Sequence, residues 1–367
     1  MKVRVLLPVL LVSLTFFLQV MPASAQSRKV VYFTNKTGTP FTFNNPTAYL
    51  SQRAIDRRNR HSIALDSSDL PVNPAYIQSV RNAGAVTILG RSKWLNAVLI
   101  QTNDAGALAT INALPFVKQV EDLAFRIVAA PRPDKFRYEQ PVPVPWGRTG
   151  SDTINYGAAT GQIKLHQGDF LHRLGARGKG QLMAFFDAGF TGYLTNRFFD
   201  SARARNQFVA SWDFYQNNIN VNEDHPHGLN CFSIAAANIP GTLVGSSPDA
   251  NYILLRTEDA ASEYVIEEYY WTLGAEYSDS AGVDVISSSL GYTTFDLPTQ
   301  DHNYTQMNGN STVITRMADH AAKKGMLVVT SAGNEGNSSW RYSSAPADGD
   351  SVLSVGAVNS SGTSAGL

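Results

Sequence analysis

The stretch Leu182-Met183-Ala184-Phe185-Phe186-Asp187-Ala188-Gly189-Phe190 is an unbroken apolar run that ends in a carboxylate and a turn. A strand without polar alternation has both faces buried, which predicts a mainly parallel sheet covered by helices on either side. Similar short runs follow at Phe208 to Ser211, Tyr252 to Arg256, Val283 to Ser289, Met326 to Thr330 and Val352 to Val358. Helical stripes lie between most of them. Ile266, Tyr270, Leu273 and Tyr277 mark one; Ile314, Met317, Ala318 and Ala321 mark another, with Ser311 as its candidate N-cap and Gly325 as its stop. The alternation predicts an α/β fold with a doubly wound sheet, in which sites gather at the carboxyl ends of strands. Asp187, Ser289 and Asn334 all fall at or just past such ends.

Residues 28–129 read differently, as a small α+β module. Lys29 to Phe33, Val86 to Leu89, Ala97 to Ile100 and Val117 to Val120 are β-rich, and helical patterns cover Pro46 to Arg60 and Pro74 to Ala83. Residues 130–150 hold Pro131, Pro133, Pro141, Pro143 and Pro145, a density that blocks helix and central strand and predicts an extended linker. At the N-terminus, Lys2 and Arg4, an apolar stretch from Val5 to Val20, and Ala23-Ser24-Ala25 compose a signal peptide over residues 1–25. No later segment is long and apolar enough to span a bilayer, so a secreted or cell-surface protein is expected. Net charge is zero, which points to no nucleic-acid partner, but its distribution is uneven. Residues 28–129 carry 12 Lys/Arg against 6 Asp/Glu, a net of +6, and residues 181–367 carry 8 against 20, a net of −12. A basic module preceding an acidic one suggests docking by complementary fields, with two unrelated solvated surfaces as the other reading. Cys231 is the single cysteine, so no intramolecular disulfide exists.

Three positions carry the candidate chemistry. A carboxylate at Asp187 is placed to orient an imidazole, although Asp-Ala-Gly is also turn chemistry. His227 precedes Gly228 and the apolar segment Cys231 to Ala237, which reads as a buried helix. At that helix start the dipole disfavours a cationic imidazole and keeps it available as a base. His225 is its rival two residues earlier, and Glu223 and Asp224 leave open a solvated loop or a metal site. Asn334, in Ser331-Ala332-Gly333-Asn334-Glu335-Gly336, offers an amide to a developing oxyanion or else turns the chain. No Gly-x-Gly-x-x-Gly follows an early strand, which excludes a dinucleotide-binding reading.

Together with Ser288-Ser289-Leu290-Gly291, these motifs resemble the subtilisin-like (subtilase) serine peptidases in chain order and in secondary context, over about Gly180 to Val358. The resemblance implies that Asp187 is the triad acid, His227 the base and Asn334 the oxyanion donor. Ser289, Leu290 and Gly291 would pair with substrate, and Ala332 and Gly333 would floor the specificity pocket. Ala188 departs from the Thr or Ser common after the acid. Residues 28–129, with Tyr49-Leu-Ser-Gln-Arg-Ala-Ile55, Arg57-Arg58 and Ser92-Lys-Trp-Leu-Asn96, resemble the pro-region that assists folding and blocks the cleft of secreted bacterial members. An accessory binding domain is the other reading of this module. Cys231 falls where some relatives carry a cysteine near the catalytic histidine. Ser361-Gly362-Thr363-Ser364 mimics the family's nucleophile motif, but Ser364 is only 30 residues after Asn334 and no long apolar helix follows it. The expectation is therefore a peptidase domain over 151–367 that is incomplete before its nucleophile, inactive as given, with peptides or proteins as substrates and its own pro-domain docked on it. No cofactor and no catalytic metal are expected; structural calcium is not readable from these residues. The competing reading is a catalytically dead peptide-binding or surface protein of the same fold.

Overall fold

Residues 27–125, 134–136 and 154–364 are described by the structure, a computed structural model. The signal peptide over 1–25 and most of the linker over 130–150 lie outside the described residues.

The N-terminal module comprises β1 (Ser27–Phe33), α1 (Gln52–Arg60), α2 (Pro74–Arg81), β2 (Thr87–Ser92), β3 (Ala97–Gln101), α3 (Ala105–Asn112) and β4 (Val117–Phe125). Its strands form an antiparallel sheet in the order β2-β3-β1-β4. Side chains alternate between the sheet's two faces, and both faces are covered. Val31, Phe33, Val98 and Ile100 pack on Ile77, Val80 and Ile111 of α2 and α3. Val30, Ala97, Leu99 and Leu123 pack instead on a helix from the second half of the chain.

That second half holds α4 (Thr160–Leu165), α5 (Gly168–Arg173), β5 (Leu182–Asp187), α6 (Asp200–Ala204), β6 (Phe208–Asp213), α7 (His227–Ala236), a short hairpin of β7 (Asn238–Ile239) and β8 (Leu243–Val244), β9 (Asn251–Arg256), α8 (Ile266–Ala281), β10 (Val285–Ser288), α9 (Val313–Lys323), β11 (Leu327–Ser331) and β12 (Leu353–Val355). Six of these strands make a parallel sheet in the order β12-β11-β10-β5-β9-β6. Successive residues of one strand serve opposite layers. Phe185, Tyr252 and Leu254 pack with Phe232 and Ala236 of α7, whereas Phe186, Ile253 and Leu255 pack with Trp271 of α8 and Ala318 of α9. The sheet is thus doubly wound, and β5 is where the chain switches from building outward on one side to building on the other. The carboxyl ends of β5 and β10 meet there and open a crevice.

Several local expectations are corrected. The helix expected over Pro46 to Arg60 begins only at Gln52, because the Ser51 side chain accepts the Ala54 N–H and caps it; Pro46–Ala48 is a separate 3-10 turn. Thr312, not Ser311, caps α9 by accepting the Thr315 N–H. The run Val352 to Val358 yields a strand only at Leu353–Val355, where both end residues are about half exposed at the sheet edge. The short helices α3, α4 and α5 have little apolar periodicity and were not expected from the sequence. No helix among the described residues is long and apolar enough to cross a membrane.

The helix α8 is the centre of the molecule. Its Trp271 and Ala275 belong to the core of the parallel sheet, while Ile266, Tyr269, Tyr270 and Leu273 belong to the core of the N-terminal sheet. Charges seal the edge of that contact. Asp279 of α8 receives Arg57, Arg58 and Lys93, and Glu276 accepts from Ser92 Oγ and from the Lys93 N–H at 2.7 Å. Beside them Lys324, at the end of α9, reaches Asp66 and Asp69 at 3.1 and 3.0 Å. The N-terminal module is docked on the rest of the chain through ion pairs of both senses: Arg57, Arg58 and Lys93 on Asp279 follow the charge asymmetry, and Lys324 on Asp66 and Asp69 runs against it. Residues 134–136 continue from it across the crevice.

Candidate active site

Asp187 closes β5 and His227 opens α7, so strand end and helix start must touch for the two to pair. Gly228 permits this: a Cβ there would lie 2.4 Å from Gly189 O and 2.7 Å from Asp187 Cβ. With the first turn of α7 pressed against β5, His227 Nδ1 lies 2.7 Å from Asp187 Oδ1, both side chains buried. The same carboxylate oxygen accepts the Ala188 N–H at 2.8 Å, which fixes its orientation. With Nδ1–H donating to an ionised Asp187, Nε2 is the basic nitrogen of the ring. His225 does something else. Its Nδ1 accepts the His227 N–H at 3.1 Å and its Nε2 lies 3.0 Å from Asp134.

The crevice beside this pair is lined by Ser289, Leu290 and Gly291 after β10 and by Ser331, Gly333 and Asn334 after β11. Gly291 is required by close approach, since a Cβ would stand 2.1 Å from Ser344 Oγ. Ala332 does not line the crevice; its N–H donates to Val355 O at 2.9 Å and its carbonyl accepts from Ser344, which holds the Gly333 turn in place. Glu335 of the Asn334 motif lines it as well, with Thr293 and Thr294, which no motif singled out. Cys231, one turn along α7, has Sγ 3.7 Å from His227 Nε2. Burial, and then the charge of Asp187, push its thiol pKa up, so it stays protonated.

Ser364 is placed elsewhere. It bridges Val358 across the turn Asn359 to Thr363, is exposed, and lies in a loop whose Gly362 faces Leu165. No contact joins it to Asp187 or His227 among the described residues.

The crevice is occupied by the chain itself. Phe136 stacks on the His227 ring with centroids 4.0 Å apart and planes at 19°. Its neighbour Lys135 enters a socket of three glutamates: the ammonium meets Glu258, lies 3.0 Å from Glu263 and 3.3 Å from Glu267, and donates to Ser262 O at 3.2 Å. Burial opposes that charge, but the carboxylates outweigh it and hold the Lys135 pKa well above the ordinary value. Among the described residues, three groupings have the ligand types and closeness to hold a metal ion. One is Asp187, His227 and Cys231. The second, Asp213, Glu223 and Asp224, has the Arg256 guanidinium 2.9 Å from Asp213 and 2.7 Å from Asp224. The third is the glutamate socket of Lys135. Asp224 of the Glu223–Asp224 loop is also paired with Arg256.

A sheet of this topology, with acid, histidine and Ser-Leu-Gly strand at its switch point, defines a subtilisin-like peptidase architecture. Residues 28–136 match the family model described as the peptidase S8 propeptide domain of Bacteroidota. That match runs past 129 and ends at Phe136, the residue stacked on His227. The chain is 32% identical over 139 residues to thermitase of Thermoactinomyces vulgaris, covering 36% of this chain and 43% of thermitase. It is 29% identical over 215 residues to subtilisin E of Bacillus subtilis, covering 58% and 48% respectively. Its fold is similar to that of the epidermin leader peptide processing serine protease of Staphylococcus aureus, with a TM-score of 0.50 at 14% identity over 93% of this chain and 71% of that one. The chain is thus similar to subtilisin-like serine peptidases in sequence and in fold. It spans less than half the length of these two curated relatives.

Proposed function

We propose that this chain is the pro-form of an exported subtilisin-like serine endopeptidase. Residues 1–25 direct export, 28–129 form the inhibitory pro-domain, 130–150 link it, and 151–367 belong to the peptidase domain. The observation that carries the reading is the buried Asp187–His227 pair, 2.7 Å apart at the switch point of the sheet, with Asn334 across the crevice. Asp187 holds the imidazole tautomer, His227 Nε2 takes the proton of the attacking serine and returns it to the leaving amine, and Asn334 donates to the oxyanion. Ser289 to Gly291 present backbone to an extended substrate, with Gly333 beside them and Ala332 bracing that turn. Ser364, which sits in a turn beside Leu165, is not the attacking serine in this reading.

The test uses the full-length gene product. His227→Ala abolishes fluorophosphonate labelling and casein hydrolysis, whereas His225→Ala retains both. Equal losses in the two variants refute the assignment. Labelling of residues 26–367 that disappears in Ser364→Ala returns Ser364 to the site. A full-length protein that binds peptides but never labels supports the catalytically dead reading instead.

A further inference from the structure

The glutamate socket is built as a receptor for one ammonium group. Glu258 and Glu267 are almost fully buried, at 2% and 1% exposure, where unpaired carboxylates are strongly disfavoured. Their second oxygens are not idle: Glu258 accepts from the Tyr292 hydroxyl, and Glu267 Oε1 accepts the Asp259 N–H at 2.8 Å. This leaves one oxygen of each, with one of Glu263 and the Ser262 carbonyl, converging on the Lys135 Nζ. The ligand arrives on a turn, residues 134–136, in which Asp134 Oδ1 accepts the Phe136 N–H at 2.9 Å and Phe136 covers the catalytic imidazole. The socket therefore opens onto the substrate cleft, and any substrate that replaces residues 134–136 faces the same carboxylates. With the lysine in place, burial and neighbouring carboxylates still outweigh its charge, lifting Glu263 to about 7 and Glu267 well above the usual carboxylate range.

Building on the proposed peptidase activity, we propose that Glu258, Glu263 and Glu267 form a substrate subsite selective for a lysine side chain, and that Lys135 fills it in the pro-form. Lysine fits because the socket surrounds a point charge from several directions, where an arginine would need a planar, forked arrangement of acceptors. The enzyme then selects peptides with lysine immediately before the residue that packs on His227, and its pro-segment competes as a product-like mimic.

Two measurements test this. The first is cleavage-site profiling of a peptide mixture by the mature full-length enzyme, in wild type and in Glu263→Gln/Glu267→Gln. Lysine should dominate one fixed position in wild type and lose that dominance in the variant. The second needs no turnover. A labelled peptide of residues 131–139, and the same peptide with norleucine for the lysine, are titrated into the full-length chain carrying Lys135→Met. The lysine peptide should bind about tenfold tighter or better. An active enzyme without lysine preference, or two peptides that bind equally, overturns the subsite while leaving the peptidase reading intact. An enzyme that neither labels nor cleaves, yet still discriminates the peptides, overturns the peptidase reading and keeps the subsite. Calcium that binds the Lys135→Met chain and displaces the lysine peptide makes the socket a metal site and refutes the proposal.

Discussion

At the scale of single residues, Asn334 and Gly228 make separable contributions. Asn334 lines the crevice after β11 and is proposed to contact substrate only when the carbonyl oxygen becomes an anion. In the full-length enzyme Asn334→Ala should lower kcat by about 10²–10³-fold with little change in KM. A raised KM with kcat held makes it a binding residue instead. Gly228→Ala acts through geometry. The new Cβ would meet Gly189 O at 2.4 Å, push α7 off β5 and lengthen the Asp187–His227 contact. The expected result is a protein with lowered thermal stability and a weakened acid limb in its pH–rate profile. An unchanged profile shows that the pair tolerates the shift. Both residues were legible in the sequence, since a His-Gly at a helix start and a Gly-Asn past a strand have mechanical reasons to be there. Glu258, Glu263 and Glu267 were not. Their partner, Lys135, is 123 residues or more away in the chain, and nothing local distinguishes them from solvated acids.

At the scale of elements, α8 and α9 carry the charges that hold the pro-domain. Asp279 is buried with Arg57, Arg58 and Lys93, and although burial opposes its charge, those cations hold its pKa at about 2. Asp279→Ala leaves them buried without a carboxylate and should cost about 3–5 kcal/mol in denaturant unfolding of the full chain. A loss below 1 kcal/mol would mean that water reaches the cluster. On α9, His320 contacts Ser68 at 3.0 Å and stacks edge-on with Trp94. Burial, and then the charge of Lys324, depress its pKa to about 4 from 6.5. A depressed folded value means that its share of stability is complete above pH 6.5 and is lost as pH falls toward 4. Allowing for solvent at the half-buried ring, wild type should lose about 1 kcal/mol more than His320→Gln between pH 7 and 5. Parallel pH curves for the two proteins would remove His320 from the account.

At the scale of the whole molecule, the charge asymmetry and the docking contacts together predict how salt acts. Long-range attraction between the +6 and −12 halves should speed encounter, and salt should slow it. The central ion pairs at Asp279 are buried, so the dissociation rate should hardly respond. Inhibition of mature enzyme by residues 28–136, followed by stopped-flow at two ionic strengths, separates the rates. A dissociation rate that climbs with salt contradicts the buried contact. The parallel sheet was legible because Leu182 to Phe186 and Tyr252 to Arg256 need cover on both faces, whatever supplies it. What supplies it was less so. The sequence shows α8 as one apolar stripe ending at Tyr277, yet the structure buries every residue from Ile266 to Glu276 and leaves Tyr277 exposed, because the helix's second face belongs to another domain's sheet and periodicity within a helix cannot count neighbours from elsewhere. That double membership has a cost in solubility when the pro-domain leaves. Under the proposed maturation, Tyr269, Tyr270 and Leu273 would pass from interior to surface in a single event, and the mature protein would present a fresh apolar patch beside its cleft. Maturation is thus a change of surface as well as of activity, and a dye that lights up on exposed hydrocarbon should report it in step with the first turnover.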